Sequence, residues 1–153
     1  MSKRVRAGLV GCGGMGSEHL KILARRADVQ IIGVCDERPE RADQVAAQYG
    51  ALAFSNYTEF VRDAGLDVIH ICSPSGHHGD HGLLAAEQGI HVLSEKPLDV
   101  DLEKVDRLIA RCDKMGVRLG CIFQKRMSPA MQAVHAAIDA GKMGKLISCS
   151  ISV

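Results

Sequence analysis

Three glycines, an aspartate and a Glu-Lys-Pro tripeptide are the residues of this chain whose types and spacing could do chemistry. Gly11, Gly13 and Gly16 follow an apolar run as G-x-G-x-x-G, and a helical pattern begins at once. In that spacing the first glycine permits a tight turn. The second lacks a Cβ, so the backbone can approach a pyrophosphate, and the third lets the next helix pack closely on its strand. Gly14 and Met15 belong to the same loop. A helix N-terminus there offers N–H groups and a partial positive charge worth roughly 0.3–1 kcal/mol toward an anion, up to ~2 when partly buried. With 16 glycines in 153 residues, the same spacing also arises as an ordinary turn, so its meaning depends on its surroundings.

Asp36 ends the second apolar run, about 20 residues beyond Gly16. A carboxylate there can accept hydrogen bonds from an adenosine ribose and would repel a 2′-phosphate, which favours NAD over NADP. The alternative is an aspartate that caps a helix. Arg38 follows closely and could stack on adenine or pair with a 2′-phosphate, so NADP stays open.

Two further stretches stand where strands end. Ser73-Pro74-Ser75-Gly76-His77-His78 leaves the fourth strand, and in an open α/β sheet that edge, beside the first strand, is where ligands bind. An ordinary Ser/Pro turn is the plain alternative. His77, His78 and His81 are close in sequence, but no acidic or cysteine cluster accompanies them, and no metal site is assigned. Glu95-Lys96-Pro97 follows the fifth strand. Strand alternation would send Glu95 and Lys96 to opposite sides. A lysine at its ordinary pKa of about 10.4 is a poor base at neutral pH. Burial, or the positive charge of an oxidised nicotinamide ring, would lower that value and make Lys96 a usable acid/base.

The elements that must position these residues alternate. Apolar runs at 5–10, 29–35, 52–54, 67–72, 90–94 and 117–123 read as strands. Helical spacing covers 15–26, the stretch from Pro39 to the Gly50 stop, a short segment capped by Asn56, about 79–88, and a long amphipathic segment from Leu102 capped by Asp99 or Asp101. Such alternation means βαβ units, parallel pairing and right-handed crossovers. The expected fold is α/β, a doubly wound parallel sheet in the order 3-2-1-4-5-6. Residues 1–123 form this dinucleotide-binding domain. In 124–153 a helix from Ser128-Pro129 leads to Lys145–Val153, where Ile147, Cys149, Ile151 and Val153 alternate with serines. That pattern reads as one strand of an antiparallel sheet. A lone strand is unstable, so the expectation is a second domain cut off just as it begins.

Composition narrows the field. Nineteen Lys and Arg against 18 Asp and Glu leave a net charge of +1, with no general drive toward nucleic acid or membrane. Two Tyr, three Phe and no Trp give few platforms for stacking bases. No apolar run approaches the ~18 residues of a membrane span, and the start lacks a signal-peptide core. Six scattered cysteines without a C-x-x-C pair suit a reduced, cytoplasmic protein.

The glycine motif, Asp36, the Ser73-Pro74…His78 loop and Ile90-His-Val-Leu-Ser-Glu95-Lys96-Pro97 occur in order. With Gln124-Lys-Arg126 and Gly141-Lys-Met-Gly144-Lys-Leu, they resemble the N-terminal nucleotide-binding (Rossmann) domain of the Gfo/Idh/MocA oxidoreductase family. The resemblance spans the whole chain but only the N-terminal part of a family member. It implies that Lys96 is the catalytic lysine beside the nicotinamide and that Glu95 helps place the cofactor. Ser73, Pro74 and His78 would line the nicotinamide half, and Gln124 joins the cofactor-binding set. The Lys96–Pro97 bond would be cis. Ser73 replaces the threonine common before that proline, and a small hydroxyl is kept. His77 stands at a position that is often apolar, and no role is assigned to it. The family's second catalytic group, usually a histidine, would lie beyond Val153, and a homo-oligomer would form through the sheet of the second domain.

The expected activity is hydride transfer between NAD and a sugar- or polyol-type hydroxyl. Two other readings remain. One is an NAD-dependent glycosidase or lyase that oxidises its substrate transiently, and the other is a nucleotide-binding module without catalysis.

Overall fold

A computed structural model describes residues 3–150. Six strands form one parallel sheet: β1 (Val5–Val10), β2 (Val29–Cys35), β3 (Leu52–Phe54), β4 (Val68–Ile71), β5 (His91–Glu95) and β6 (Leu119–Ile122). Their order is β3-β2-β1-β4-β5-β6, as the alternation of runs requires. The helices between them are α1 (Gly14–Ala24), α2 (Pro39–Tyr49), α3 (Tyr57–Asp63), α4 (His78–Glu87) and α5 (Leu102–Met115), and α6 (Pro129–Asp139) follows the sheet.

Local chemistry sets most of these boundaries. Pro39 opens α2 where no N–H is needed, and Gly50 closes it at φ +62°. Asn56 accepts the Glu59 N–H at the start of α3. Of the two aspartates before α5, Asp101 is the cap, accepting the Glu103 N–H at 2.9 Å. Asp99 is used elsewhere, as described below.

The sheet is covered on both faces because β1 points alternate residues to opposite sides. Leu9 packs with Leu20 of α1, Val34 and Ala46 of α2. Val10 packs with Phe60 of α3, Ile69, Ile71 and Val92. A third cluster joins Ala86 of α4 to Leu108 and Cys112 of α5. Together these fix the lateral positions of β1, β4 and β5, whose ends carry the candidate site.

Three boundaries differ from the sequence reading. A 3₁₀ turn at Ser75–His77 precedes α4, which begins at His78. That histidine therefore belongs to a helix and not to the loop. A 3₁₀ turn at Gln124–Met127 follows β6. Residues 145–150 form no strand, and 151–153 lie outside the described residues. Among the described residues no strand pairs with residues 145–150. The chain divides into one compact unit through residue 122 and another from 123. In the second unit Ser128 caps α6 by accepting the Met131 N–H, and the Arg126 guanidinium stands 5.2 Å from the Phe123 ring centre. Among the described residues no helix is long and apolar enough to cross a membrane.

Candidate functional site

Parallel pairing puts the ends of β1, β2, β4 and β5 along one edge of the sheet. The chain leaves β1 toward β2 and returns on the other side of β1 as β4, so the strand order reverses between β1 and β4. A crevice at such a reversal is the usual ligand site of an open α/β sheet. Gly11 makes the turn there with φ +91°. A Cβ on it would lie 2.5 Å from the Cys72 carbonyl and the Ser73 nitrogen, so the turn passes directly against the exit of β4. A Cβ on Gly16 would come within 2.1 Å of the Gly11 oxygen, which shows how closely α1 sits on its own turn.

Gly13 and Gly14 are different. Gly13 has φ −76° and ψ −162°, extended backbone that any residue adopts, and among the described residues nothing beyond the chain neighbours and the backbone of α1 lies within 4 Å of a Cβ built on either glycine. Neither conformation nor packing requires glycine at these positions. The open space beside the backbone leaves room for a bulky anion to approach it. No side chain caps α1 and no acidic residue lies in its first turn, so its leading N–H groups and dipole remain available to a phosphate. Met15 is half-exposed beside them. The loop thus fits the pyrophosphate of a dinucleotide.

Asp36 lies at the end of β2, 5% exposed. Its Oδ2 accepts the Cys12 N–H at 2.9 Å and its Oδ1 accepts the Arg38 N–H at 3.0 Å. It therefore braces the glycine loop against the start of α2, while each oxygen keeps a further lone pair. Arg38 is exposed at the N-cap of α2. The cation nearest to Asp36 is Arg41, at 3.6 Å, which the sequence reading did not single out. Arg41 was legible as a cation in the first turn of α2, the helix that Asp36 leads into. The neighbouring Cys12 and Cys35 thiols are pushed up to about 12, by burial first and then by charges that include Asp36, so neither is a nucleophile at neutral pH.

Across the crevice, side chains do the positioning. His78 is 2% exposed. Its Nε2 and Nδ1 each lie 2.6 Å from a carbonyl oxygen, those of Ser73 and Pro97 respectively, so it ties the loop after β4 to the turn after β5. The Ser73 hydroxyl pairs with His81 Nδ1 at 2.9 Å, and Pro74 leads into the 3₁₀ turn. Burial first, then His77 and His78, push His81 down to about 4. Asp99 accepts the N–H groups of Gly79, Val100 and Asp101. Burial opposes its ionisation, but those donors hold its carboxyl below the usual range.

Glu95 and Lys96 separate as alternation requires: the carboxylate is buried and the lysine is exposed. Glu95 Oε2 accepts the Lys96 backbone N–H at 3.2 Å, and the Lys96–Pro97 bond is cis. Glu95 Oε1 is held by His19 of α1, which in turn meets His70 of β4. Sequence reading missed both histidines. The available signal was an imidazole at 19 beside Leu20, on the inward side of a helix that otherwise buries apolar residues. The structure therefore brings the glycine loop, Asp36, Ser73, Pro74, Glu95 and Lys96 to one sheet edge, with His78 beneath it. Gln124 lies in the second unit, exposed at the start of its 3₁₀ turn.

A parallel sheet of this order, with an open glycine loop at the strand reversal and an acidic residue ending β2, defines a dinucleotide-binding domain of the Rossmann class. The chain belongs to the GFO_IDH_MocA oxidoreductase family, with an NAD-binding Rossmann fold, whose model matches residues 5–123. It is 31% identical over 148 residues to inositol 2-dehydrogenase of Rhizobium meliloti, covering 97% of this chain and 44% of that protein. Over 149 residues it is 34% identical to scyllo-inositol 2-dehydrogenase (NAD(+)) of Bacillus subtilis, covering 96% and 44%. Among solved structures, the WlbA dehydrogenase of Bordetella pertussis, in complex with NADH and UDP-GlcNAcA, superposes with a TM-score of 0.90 at 33% identity. That match covers 94% of this chain and 45% of the other. The chain thus spans less than half the length of these relatives.

Proposed function

We propose that this chain is the cofactor-binding part of a dehydrogenase that transfers hydride between NAD and a sugar- or polyol-type hydroxyl. The observation that carries the reading is the meeting of an unfilled glycine cradle after β1 and an exposed Lys96 after β5 along the same sheet edge. Relatives named as inositol and glucoside dehydrogenases supply the substrate class. When bound, the nicotinamide supplies the hydride acceptor. Gly13, Gly14 and Met15 hold the pyrophosphate with backbone N–H groups, and Asp36 accepts from the adenosine ribose, with Arg38 at its rim. Ser73, Pro74 and Glu95 border the nicotinamide end, and His78 keeps that border in place. Lys96 takes the proton of the substrate hydroxyl during oxidation and returns it during reduction. Residues 124–153 carry the connecting helix and the start of a second α/β domain, and the same reading includes homo-oligomeric assembly through that domain and a cytoplasmic setting.

Two measurements test it. NADH fluorescence titration of this chain should saturate, and a signal that never saturates would sink the cofactor assignment. In the protein that contains this chain, Lys96→Ala should keep NADH binding while kcat falls by about 10²–10⁴, the usual contribution of a positioned acid/base. Unchanged turnover would remove Lys96 from the reaction. Net accumulation of NADH would mark a dehydrogenase and not a transient oxidation.

A further inference from the structure

Three buried side chains form a line of hydrogen bonds that the glycine motif does not explain. His19 of α1 is 7% exposed, His70 of β4 is 8% and Glu95 of β5 is 5%. His19 Nε2 lies 3.1 Å from Glu95 Oε1. A carboxylate only accepts, so this nitrogen carries a proton and donates it. His19 Nδ1 lies 3.1 Å from His70 Nδ1, with the rings edge-on at 89°. Two nitrogens facing each other this way share one proton. Burial first, then His19, push His70 down to about 4, which leaves it neutral at neutral pH. The other oxygen of Glu95 accepts the Lys96 N–H. Cys72 beside Glu95 brings no competing charge, because burial, Glu95 and Cys12 push its thiol up to about 12.

Packing alone does not call for this arrangement. The neighbouring buried positions of α1, Leu20 and Leu23, are apolar, and Leu20 packs on Leu9 and Val34 of the sheet. Buried polar groups are costly unless every one is bonded. Three elements distant in sequence supply groups that satisfy one another, and the line ends on the backbone of the lysine.

We propose that His19 is a positioning residue: held by His70, it orients the Glu95 carboxylate and through it the Lys96 turn that borders the nicotinamide. The nicotinamide part of this inference rests on the function proposed above. It predicts a division between the two halves of the cofactor. ADP-ribose carries the adenosine and pyrophosphate but no nicotinamide, so its binding should not depend on His19.

The test compares His19→Asn and His19→Gln in this chain, because both replace the imidazole with an amide N–H donor and only glutamine carries it as far as Nε2, the atom that meets Glu95. Binding of NADH and of ADP-ribose is measured by calorimetry, and the Lys96 amide signal by ¹H–¹⁵N NMR. His19→Asn should weaken NADH about tenfold, the equivalent of about 1.4 kcal/mol. It should leave ADP-ribose within about twofold and shift the Lys96 amide. His19→Gln should restore both readouts. Equal losses for the two ligands, or an unmoved Lys96 amide, or a glutamine variant that behaves like asparagine, would overturn the positioning role. The amide readout needs no ligand, so it tests the network even if NADH fails to bind the parent chain, a result that would count against the proposed function instead.

Discussion

The two sides of the crevice are built by opposite means. On the β1–α1 side, geometry follows from atoms that are missing: Gly11 and Gly16 let a turn and a helix close on each other, and Gly13 leaves a space. On the β4–β5 side, geometry follows from buried polar atoms that must find partners. His78 links two loops, Asp99 gathers three N–H groups, and His19 reaches across 76 positions of sequence to Glu95. Close backbone approach is permitted by the glycines themselves. A web of hydrogen bonds is encoded across the chain, and it responds to protons.

That contrast can be broken at either side. The largest effect is expected for Gly16→Val, whose Cβ alone would sit 2.1 Å from the Gly11 oxygen. Overpacking of this kind should cost about 3 kcal/mol of unfolding free energy in urea, and a variant as stable as the parent would refute the close approach. Acid should act on the other side. His70 and His81 are both held near 4 in the fold against about 6.5 unfolded. Between those values the unfolded chain takes up protons that the folded chain refuses, so stability is complete above pH 6.5 and falls as pH drops toward 4. The two groups together should remove about 2 kcal/mol between pH 7 and 5.5, measured by urea unfolding at each pH. A flat profile would show that these histidines take up protons within the fold. The smallest effect on stability is expected for Gly13→Val, within about 0.5 kcal/mol, because open space surrounds it. The same variant should weaken NADH by more than about tenfold. A substitution that destabilised the fold and spared NADH would reverse the assignment of that space.

Much of the fold was legible. β2, β3, Pro39, Gly50 and the Asn56 cap stand where the spacing put them, because periodicity, a fixed proline φ and an αL glycine act within a few residues. The strand order followed from right-handed crossovers between alternating elements. The Ile147–Val153 alternation did not become a strand over residues 145–150, because a strand requires a neighbour and not only a pattern. His78 was placed in a loop, whereas tertiary bonds to Ser73 and Pro97 accompany it into the first turn of α4.

The sequence by itself determined a dinucleotide loop, an acidic end to β2, and a lysine after β5, since glycine spacing and strand-end position are properties of neighbouring residues. Only the tertiary structure decided how that lysine is held. His19, His70 and Glu95 lie on three elements, and their hydrogen bonds exist only once α1 packs against β4, His19 reaches the end of β5, and the water that would otherwise satisfy each of them is excluded.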